Sequence, residues 1–560
     1  MKAFAEAAEK IAGTTKKLEK TSIVAGYFKL RTLEEAAVSA VFLSGRPFPV
    51  WEEAILQVGG SLLWRLVGQL SGKSEQALTE AYRKLGDLGA VAGEVLESRG
   101  PGLNILEVRD RFRQIATTRG CAAKETNVRE MLSHATPLEA KYLVKVITGD
   151  LRIGLKESLV EEAVAKAYGG TLRQVQRANM LLGDIGETLL LAAAGKLAEA
   201  TMRLFHPLGF MLASPTESAE DAMSYFKNAW VEDKYDGIRA QVHSSGDKVR
   251  IFSRTRDDIT ESFVELPEQL AGLPQDAILD GEITAWSFSE GRGRQALPFS
   301  ALQKRLGRKK VSEEMLRRVP VAFLAFDVLY AGGELLIDRP LRERAKILDQ
   351  LLEARQPGKR RREQGQFEFE AEALLTRVLR APVFQTASAE ELDQLFAAAQ
   401  ARGNEGLMIK DTESVYTPGR RGKSWLKLKR ELATLDVVVT AVEYGHGKRI
   451  GVLSDYTFAV RDGERLVNIG KAYSGLTDVE IAEMSLWFLQ HVIDDQGFRL
   501  VVEPKIVLEV AFNNMMISER HESGLALRFP RIVRLRPDKS AEEADTVERA
   551  REIYAKQGIG

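Results

Sequence analysis

The sequence predicts a multidomain protein with an all-α N-terminal domain, a central α+β domain of antiparallel sheets and a C-terminal β-barrel. The chain has 560 residues, more than one hydrophobic core normally organises. Helical periodicity dominates the N-terminal third, whereas short strand-like runs separated by turns dominate the remainder. We therefore place three domains at residues 1–205, 206–432 and 433–560.

The composition is that of a globular protein and excludes several kinds of site. Hydrophobic residues make up 44% of the chain and charged residues 28%, and basic and acidic side chains balance at 79 each. Because the formal net charge is zero, a surface that binds a polyanion must arise from segregation of charges within the fold. The single cysteine, Cys121, excludes an internal disulfide and a cysteine-based zinc site within the chain.

No segment of the sequence predicts a membrane span. The first residues, MKAFAEAAEKIAG, lack the apolar run of a signal peptide and predict an amphipathic helix. The most apolar stretch, Met180 to Ala198, contains Asp184, Glu187 and Lys196, so it predicts a buried helix instead. We therefore expect a cytoplasmic protein without a membrane partner.

The N-terminal region shows the sequence signals of helices. Ser158 and Glu161 predict a capping box at the start of one helix, and Gly169 with Gly170 predicts its end. Between them runs an apolar stripe formed by Leu159, Val160, Ala163, Val164 and Ala167. A helical scaffold of any purpose would show the same pattern, so this region alone indicates no function.

The central region changes character near His206, and strand-like runs begin at Trp230. These runs are AWVEDKYDG, RAQVHSSGDKVRIFSR, AILDGEITAW, VAFLAFDVLY, GLMIKD and SWLKLKR. Helical stretches intervene, including Ala389 to Ala401. The mixture predicts an α+β domain built on antiparallel sheets. The basic segment ARQPGKRRREQGQ, around Arg360, predicts an exposed loop.

A third pattern begins near Thr434. The runs LDVVVTAVEYG, SDYTFAVRDG, RLVNIGKAYSG and KIVLEVAFNNM have the spacing of barrel strands. One helix is predicted between them, from about Asp478 to Ile493. Five or so strands with one helix fit a small OB-type barrel.

The segment EDKYDGIR contains a candidate nucleophile. Lys234 ends a predicted strand and faces a glycine turn, a position at which a lysine could act as a nucleophile. The same residues fit an ordinary exposed strand end, so one short motif is weak evidence by itself. Its significance depends on the motifs that follow it in the chain.

Those motifs occur in the order found in the covalent nucleotidyltransferases, the superfamily of DNA ligases, RNA ligases and mRNA capping enzymes. The segments that resemble its motifs I, III, IIIa, IV, V and VI are KYDGIR, LDGEI (Leu279–Ile283), FDVLY (Phe326–Tyr330), EGLMIK (Glu405–Lys410), WLKLK (Trp425–Lys429) and FPRIVRLRPDK (Phe529–Lys539). In the helical region, GDLRIGLKESLVEEAVAKAYG is similar to the DNA-binding domain of archaeal, eukaryotic and some bacterial ATP-dependent ligases. Nearly the whole chain thus resembles an ATP-dependent DNA ligase, with a looser match over the first hundred residues.

The resemblance implies a role for each motif residue. Lys234 would attack the α-phosphate of ATP and carry AMP as a covalent phosphoramide. The residues implied to contact the nucleotide are Glu232 and Phe326 at the adenine, Glu282 at the ribose, Arg239 and Arg254 at the ribose and phosphates, and Arg421 and Lys427 at two further positions. Glu282 and Glu405 would hold Mg²⁺, directly or through water. In motifs V and VI, cationic Lys429 would add to the charge around Lys234, and Arg536, Asp538 and Lys539 would orient the pyrophosphate.

Without the resemblance, the same residues have ordinary interpretations. Glu282 and Glu405 fit surface ion pairs, Phe326 fits the hydrophobic core, and Arg420 fits a solvated basic loop. The occurrence of all six motifs in order favours the family interpretation over these.

The implied reaction seals a nick between a 5′-phosphate and a 3′-hydroxyl in duplex DNA, in replication, repair or recombination, with ATP and Mg²⁺ as cofactors. We expect a monomer that associates with the nucleoid through DNA. A sliding clamp is an undecided partner, because neither end of the chain has a clear clamp-binding box. Candidate DNA contacts in the helical region are Arg111, Arg113, Arg119, Arg152 and Lys156.

Four alternative functions are open at this level. RNA ligases and capping enzymes share the lysine chemistry, but a capping enzyme would not need the helical domain, nor Glu232 for GTP. An NAD-dependent ligase typically has a four-cysteine zinc module, which one cysteine cannot supply. A catalytically silent DNA-binding scaffold is disfavoured, because every expected catalytic position has the required residue type.

Overall fold

The computed structural model describes residues 1–556 apart from 53, 98–99, 227–228, 289–294, 298, 304, 306–310, 355–375, 420, 430–432, 446–448, 450 and 498. The predicted basic loop around Arg360 and the predicted loop residue Arg420 lie outside the described residues. The chain forms two compact units, one of Met1–Thr201 with Glu431–Tyr554 and one of Met202–Arg430 with Ala555–Gly560. The domain boundaries proposed above remain predictions.

The N-terminal part of the first unit is helical, as predicted. Its α-helices are α1 (Lys2–Ala12), α2 (Lys17–Lys29), α3 (Leu33–Leu43), α4 (Gly60–Ser71), α5 (Glu75–Leu85), α6 (Leu88–Val95), α7 (Ile105–Thr117), α8 (Cys121–His134), α9 (Pro137–Ile147), α10 (Glu157–Tyr168), α11 (Leu172–Leu182) and α12 (Ile185–Ala193). They surround one continuous hydrophobic core, to which the predicted stripe on α10 contributes Val160, Ala163 and Val164.

Two local predictions in this region are wrong. Helix α10 begins at Glu157 with Lys156 as N-cap, so Ser158 lies inside the first turn and forms no cap. The apolar stretch from Met180 to Ala198 is not one helix. It is divided at Gly183, which ends α11 in the left-handed conformation with φ of 66°.

The second unit contains two mostly antiparallel sheets, consistent with the predicted α+β fold. Its strands are β1 (Leu212–Thr216), β2 (Ala229–Lys234), β3 (Ile238–Ser245), β4 (Lys248–Ser253), β5 (Ala277–Ser287), β6 (Gln295–Ala296), β7 (Val321–Ala331), β8 (Glu334–Leu335), β9 (Val378–Arg380), β10 (Phe384–Thr386), β11 (Gly406–Lys410) and β12 (Arg421–Leu428). Its helices are α13 (Ala219–Met223), α14 (Glu265–Leu270), α15 (Phe299–Gln303), α16 (Glu313–Arg318), α17 (Leu341–Glu353) and α18 (Ala389–Ala401).

One sheet has the strand order β1-β12-β11-β2-β10, and the other follows β4-β3-β5-β7-β8 with β6 and β9 paired at its sides. Two pairings, β1 with β12 and β7 with β9, are parallel, which the antiparallel prediction did not include. Helix α18 has the bounds predicted from its apolar periodicity. Strand β1 was not predicted, because LASPT lacks a strand-like apolar run.

The C-terminal part of the first unit is a β domain. Its elements are β13 (Ala433–Tyr444), β14 (Leu453–Asp462), β15 (Arg465–Ala472), α19 (Asp478–Gln490), β16 (Val492–Asp495), β17 (Arg499–Val502), β18 (Val507–Phe512), β19 (Asn514–Ile517), β20 (Leu525–Arg528), β21 (Arg531–Leu535) and α20 (Val547–Lys556). The described strands number nine, more than the five or so predicted. The helix expected to reach Ile493 ends at Gln490, because the chain enters β16 two residues later.

A buried histidine makes the stability of the second unit depend on pH. His243 on β3 accepts a hydrogen bond at Nδ1 from the backbone of Phe205 (2.9 Å), so its Nε2–H donates to Gln241 (2.8 Å). Burial, with a smaller contribution from His206, lowers the pKa of His243 to about 3. Below the unfolded pKa near 6.5 the unfolded chain takes up a proton that the folded chain does not, so stability falls as the pH falls.

We expect the free energy of unfolding of this unit to drop by about 2 kcal/mol between pH 6.5 and pH 5 through His243 alone. Denaturant titrations at both pH values measure this difference. His243→Leu should remove this share of the pH dependence, whereas His134→Gln, at an exposed position on α8, should retain it. An unchanged pH dependence in His243→Leu would contradict the assignment.

Candidate active site

Alternation along the five-stranded sheet determines which of its side chains are available for chemistry. On β2, Val231 packs into the hydrophobic core beneath α18, so Glu232 and Lys234 lie on the opposite face. The register places Met408 of β11 opposite Glu232, and Lys427 of β12 opposite Met408. Opposite residues in an antiparallel pair share a face, so Glu232, Lys234 and Lys427 line one surface.

Lys234 lies at the end of β2 and is mostly buried, with 20% of its side chain exposed. Its Nζ donates a hydrogen bond to Oε2 of Glu405, and Nζ of Lys429 donates to Oε1 of the same carboxylate. The backbone N–H of Glu405 also donates to the carbonyl oxygen of Lys234, at 2.9 Å. The structure therefore brings together the predicted nucleophile, a predicted metal ligand and a predicted cation.

Two motif glycines allow the strands around Lys234 to approach one another closely. A Cβ at Gly237 would collide with the carbonyl oxygen of Ile283. A Cβ at Gly406 would collide with the carbonyl oxygen of Leu428, and its φ of 152° also favours glycine. The glycines of KYDG and EGL are thus explained by packing beside Lys234 and Glu405.

The second sheet contributes Arg239 and Glu282, which lie opposite each other on β3 and β5. Arg239 donates two hydrogen bonds to Asp280, at 3.1 and 2.7 Å, and one to the carbonyl oxygen of Met211, at 2.6 Å. Tyr416 donates to the same Asp280 carboxylate at 2.6 Å. Arg239 is therefore fixed by buried partners before any ligand binds.

Glu282 is a carboxylate with too little positive charge around it to offset its burial. Burial raises its pKa to about 7, although Lys234 and Arg239 act in the opposite direction. Those opposing effects require Glu282 to lie near Lys234, as its predicted role demands. A bound cation or a hydrogen-bond donor would stabilise its ionised form.

Three further predicted residues surround the same surface with positive charge. Burial lowers the pKa of Lys427, and the charges of Lys234, Arg421 and Arg254 lower it further. Arg254 follows β4 and Arg421 begins β12, and both side chains are exposed. An exposed cation beside a half-buried one suits a ligand that carries several negative charges.

An aromatic wall adjoins Glu232. Phe326 on β7 and Trp425 on β12 meet edge to face with ring centroids 6.2 Å apart. Nζ of Lys410 lies 4.4 and 4.3 Å from these two centroids and donates a hydrogen bond to Oε2 of Glu232 at 2.6 Å. Phe326 thus lies where an aromatic base could contact it.

The predicted residues of motif VI belong to the C-terminal β domain, in the other unit. Nη1 of Arg536 donates to both carboxylate oxygens of Asp436, each at 2.9 Å, and Lys539 donates to Oδ2 at 2.6 Å. Asp538 accepts from Arg536 at 2.7 Å. In this domain the two motif VI cations are therefore held by acidic partners.

The candidate DNA contacts of the helical region differ in their environments. Arg111 and Arg113 form ion pairs with Glu130 and Glu52, at 3.4 and 3.3 Å. Arg119 and Lys156 have exposed side chains, and Arg152 donates a hydrogen bond to the carbonyl oxygen of Gly86. Their contact with DNA remains a prediction.

Four residues that support the site had no predicted role: Asp280, Lys410, Trp425 and Tyr416. Asp280 and Trp425 lie two residues before Glu282 and Lys427 on the same strands, so strand alternation places them on the same faces but does not identify their partners. Lys410 shares β11 with no assigned residue. Tyr416 lies before β12, outside regular strand, and gave no such signal.

Within the described residues, no group of three or more histidine, cysteine, aspartate or glutamate side chains is arranged to hold a metal ion. Among the helices given above, none is long and apolar enough to cross a membrane.

A mostly buried lysine held by a carboxylate, with cations around it and an aromatic wall nearby, is suited to covalent transfer of a nucleotide. The fold and this site define a nucleotidyltransferase-type enzyme with a helical domain and a C-terminal β domain.

Comparisons with known proteins agree with this class. Residues 1–165 match the family model "DNA ligase N terminus", residues 210–429 match "ATP dependent DNA ligase domain" and residues 449–539 match "ATP dependent DNA ligase C terminal region". A "Probable DNA ligase" of Koribacter versatilis is 62% identical over all of this chain and 97% of its own length. A "DNA ligase" of Methanothrix thermoacetophila is 36% identical over 99% of this chain and 98% of its own.

A solved structure titled "Pmar-Lig_PreS3" has the same fold, with a TM-score of 0.60, 17% identity and coverage of 95% of this chain and 99% of that one. The chain belongs to the ATP-dependent DNA ligase family. It is a ligase enzyme, and nick sealing through adenylate intermediates is the general mechanism of the family. The predicted fold class and function are thereby confirmed.

Proposed function

We propose that this protein seals nicks in duplex DNA with AMP carried on Lys234, and that the residues around Lys234 form its ATP site. The observation that supports this most directly is the position of Lys234, mostly buried on a sheet face with Glu405, Lys429 and Lys427. Nicked duplex DNA is the proposed partner of a monomer, and a cytoplasmic location belongs to the same proposal.

In the first step Nζ of Lys234 attacks the α-phosphorus of ATP, forming a P–N bond as the bond to pyrophosphate breaks. Because an ammonium has no lone pair, Nζ first gives one proton to Oε2 of Glu405, which already accepts a hydrogen bond from it, and the nitrogen loses a second proton to the departing pyrophosphate as the P–N bond forms. Lys429 holds the other oxygen of Glu405, so the carboxylate keeps its position as it takes up that proton. Arg254, Arg421 and Lys427 offset the negative charge of the phosphates.

In the second step the 5′-phosphate of the nick displaces Lys234 from the adenylate, which gives a DNA-adenylate. In the third the 3′-hydroxyl attacks the 5′-phosphorus and AMP leaves, which restores the phosphodiester. Sealing must be independent of sequence, so contacts to phosphates and duplex shape should dominate DNA binding.

The residues present fit a magnesium ion. Glu282 has a carboxylate whose pKa burial raises to about 7, and Glu405 lies beside the same lysine. Magnesium is commonly bound by one or two carboxylates together with substrate phosphates, so a larger acidic cluster is not needed. Glu282 would hold it, and Glu405 would do so while its carboxylate does not carry the proton from Lys234. When bound, the ion would neutralise charge on the phosphates.

A labelling experiment tests the proposal. The full-length protein is incubated with Mg²⁺ and ATP labelled in the α-phosphate, then separated on a denaturing gel. We expect a labelled protein band that passes its label to nicked duplex DNA on a chase, and no band from GTP or NAD. A folded protein that takes no label from ATP would contradict the proposal and leave the DNA-binding scaffold as the better interpretation.

A further inference from the structure

Helix α19 of the C-terminal β domain has apolar side chains on two sides. On its inner side Ile481 and Phe488 are buried in the core of this domain and anchor the helix. On its outer side Val479, Leu486 and Leu489 are 68%, 66% and 49% exposed. Single exposed apolar side chains are normal on a protein surface, whereas a contiguous row of them marks a site of interaction.

The spacing of the exposed side chains is that of a contact between two helices. Four of them follow one another at intervals of three, four and three residues: Val479, Ala482, Leu486 and Leu489. These intervals align the four side chains along one side of α19, and we call them the outer stripe. Two helices bury such a stripe by packing their side chains into each other along its length. The outer stripe therefore fits a second helix.

The charges that border the outer stripe are acidic. Residues 478–498 contain five acidic side chains and no lysine or arginine. Glu483 is exposed, and Asp478 is 94% exposed although Nη2 of Arg449 lies 3.8 Å from its carboxylate. Asp494, just beyond the helix, is exposed as well. A partner with basic side chains would complement this border, whereas a polyanion such as DNA would be repelled by it.

A second copy of this chain would fit the border poorly. A symmetric pair of chains uses the same surface on both sides of the contact. Two outer stripes packed together would therefore bring one acidic border against an identical one. Like charges that meet across a contact oppose association, so the charges favour a different protein as the occupant.

We propose that the outer stripe binds a basic amphipathic helix of a partner protein. The apolar side chains of that helix pack against Val479, Leu486 and Leu489, and its lysine or arginine side chains pair with Asp478 and Glu483. None of these residues belongs to the site around Lys234. The proposal therefore concerns the recruitment of the enzyme by a partner and is independent of the proposed chemistry.

The test uses the full-length protein and a fluorescent synthetic peptide of about 18 residues, with leucine at the positions of a helical stripe and lysine beside them. A matched peptide has glutamate in place of each lysine. Fluorescence anisotropy measures both dissociation constants, at concentrations at which the peptides are monomeric. We expect the basic peptide to bind at least about tenfold more tightly, with an affinity that falls as salt is added. Equal affinities, or no binding of the basic peptide, would overturn the proposal.

Variants locate the contact on the surface. Leu486→Lys places a charge in the middle of the outer stripe and should weaken binding of the basic peptide at least about tenfold. Leu18→Lys adds the same charge at an 82% exposed position on α2 and should leave binding unchanged. Glu483→Lys should reduce the preference for the basic over the acidic peptide. Binding of wild-type strength by Leu486→Lys would show that the peptide contacts another surface and would overturn the proposal.

Stability, activity and self-association are measured on the same variants. Leu486→Lys should retain the wild-type melting temperature because the side chain is exposed, and Leu489→Lys provides the same test if it does not. Self-adenylation and nick sealing should be unchanged in both variants, so loss of these reactions in the wild-type protein would contradict the proposed function alone. Sedimentation detects pairs of the chain. Wild-type pairs that Leu486→Lys separates would identify a second copy as the occupant and overturn the proposal.

Discussion

Replacing Lys234 with alanine is expected to lower the rate of ATP-dependent nick sealing about a million-fold, the scale typical of an enzyme that loses its nucleophile. The reason is specific to this site. The Lys234 amine lies between Glu405 and a group of cations, and we expect no neighbouring side chain to replace it as the nucleophile. Lys429 offers a second amine beside Glu405, but its Nζ donates a hydrogen bond to the other oxygen of that carboxylate. Gel assays of nicked duplex with ATP measure the loss.

Two controls distinguish loss of the nucleophile from loss of the fold. A nick supplied with its 5′-adenylate already attached needs no lysine adenylate, so Lys234→Ala should retain measurable sealing of it. Lys346→Ala, at an exposed position on α17, should leave both reactions unchanged. If Lys234→Ala still formed a protein adenylate from ATP, another residue would have to be the nucleophile.

Arg344→Met is expected to lower the free energy of unfolding of the second unit by about 3–5 kcal/mol, because it leaves a buried carboxylate without its partner. The side chains of Arg344 and Asp327 are both 0% exposed, and two parallel hydrogen bonds of 2.8 Å join them. Arg344 also donates to the carbonyl oxygens of Arg339 and Ser414, at 2.6 and 3.0 Å. Denaturant titration measures the change.

The double variant Arg344→Met with Asp327→Leu should recover much of that loss, because an apolar pair carries no unpaired charge. Arg318→Met serves as the matched control, since its pair with Glu314 is exposed at 73% and 75% and should add no measurable stability. A double variant no more stable than Arg344→Met would indicate that the hydrogen bonds to the backbone matter more than the charge.

Helix and strand bounds were predicted correctly where the local sequence pattern and the tertiary packing favour the same structure. Helix α18 has an apolar face and begins at the N-cap Ser388, and its predicted bounds were correct. The end of α19 was missed because VIDD pairs with β17, and a tertiary pairing of that kind leaves little local signal. Strand β1 was missed for the same reason, since it is defined by its pairing with β12.

The candidate site was predictable to a similar extent. The motif order pointed to Lys234, Glu282 and Glu405 as parts of one site, and the structure places Glu405 in contact with Lys234 and Glu282 near it, while the roles of these residues stay predictions. The supporting contacts were not predictable. Asp280 fixes Arg239, and Lys410 fixes Glu232, through pairings between residues far apart in the chain. Each of these could be assigned only once the strand register was known.

The pairing of Asp436 with Arg536 and Lys539 has a consequence for how the C-terminal β domain meets polyanions. Asp436 and Asp538 together balance the charges of Arg536 and Lys539, so this group of four side chains exerts little attraction beyond a few ångströms. We therefore expect Arg536 and Lys539 to add little to the long-range attraction of nucleic-acid phosphates. A phosphate would have to reach contact distance and displace Asp436 before these two cations could bind it, so their contribution would be short-range.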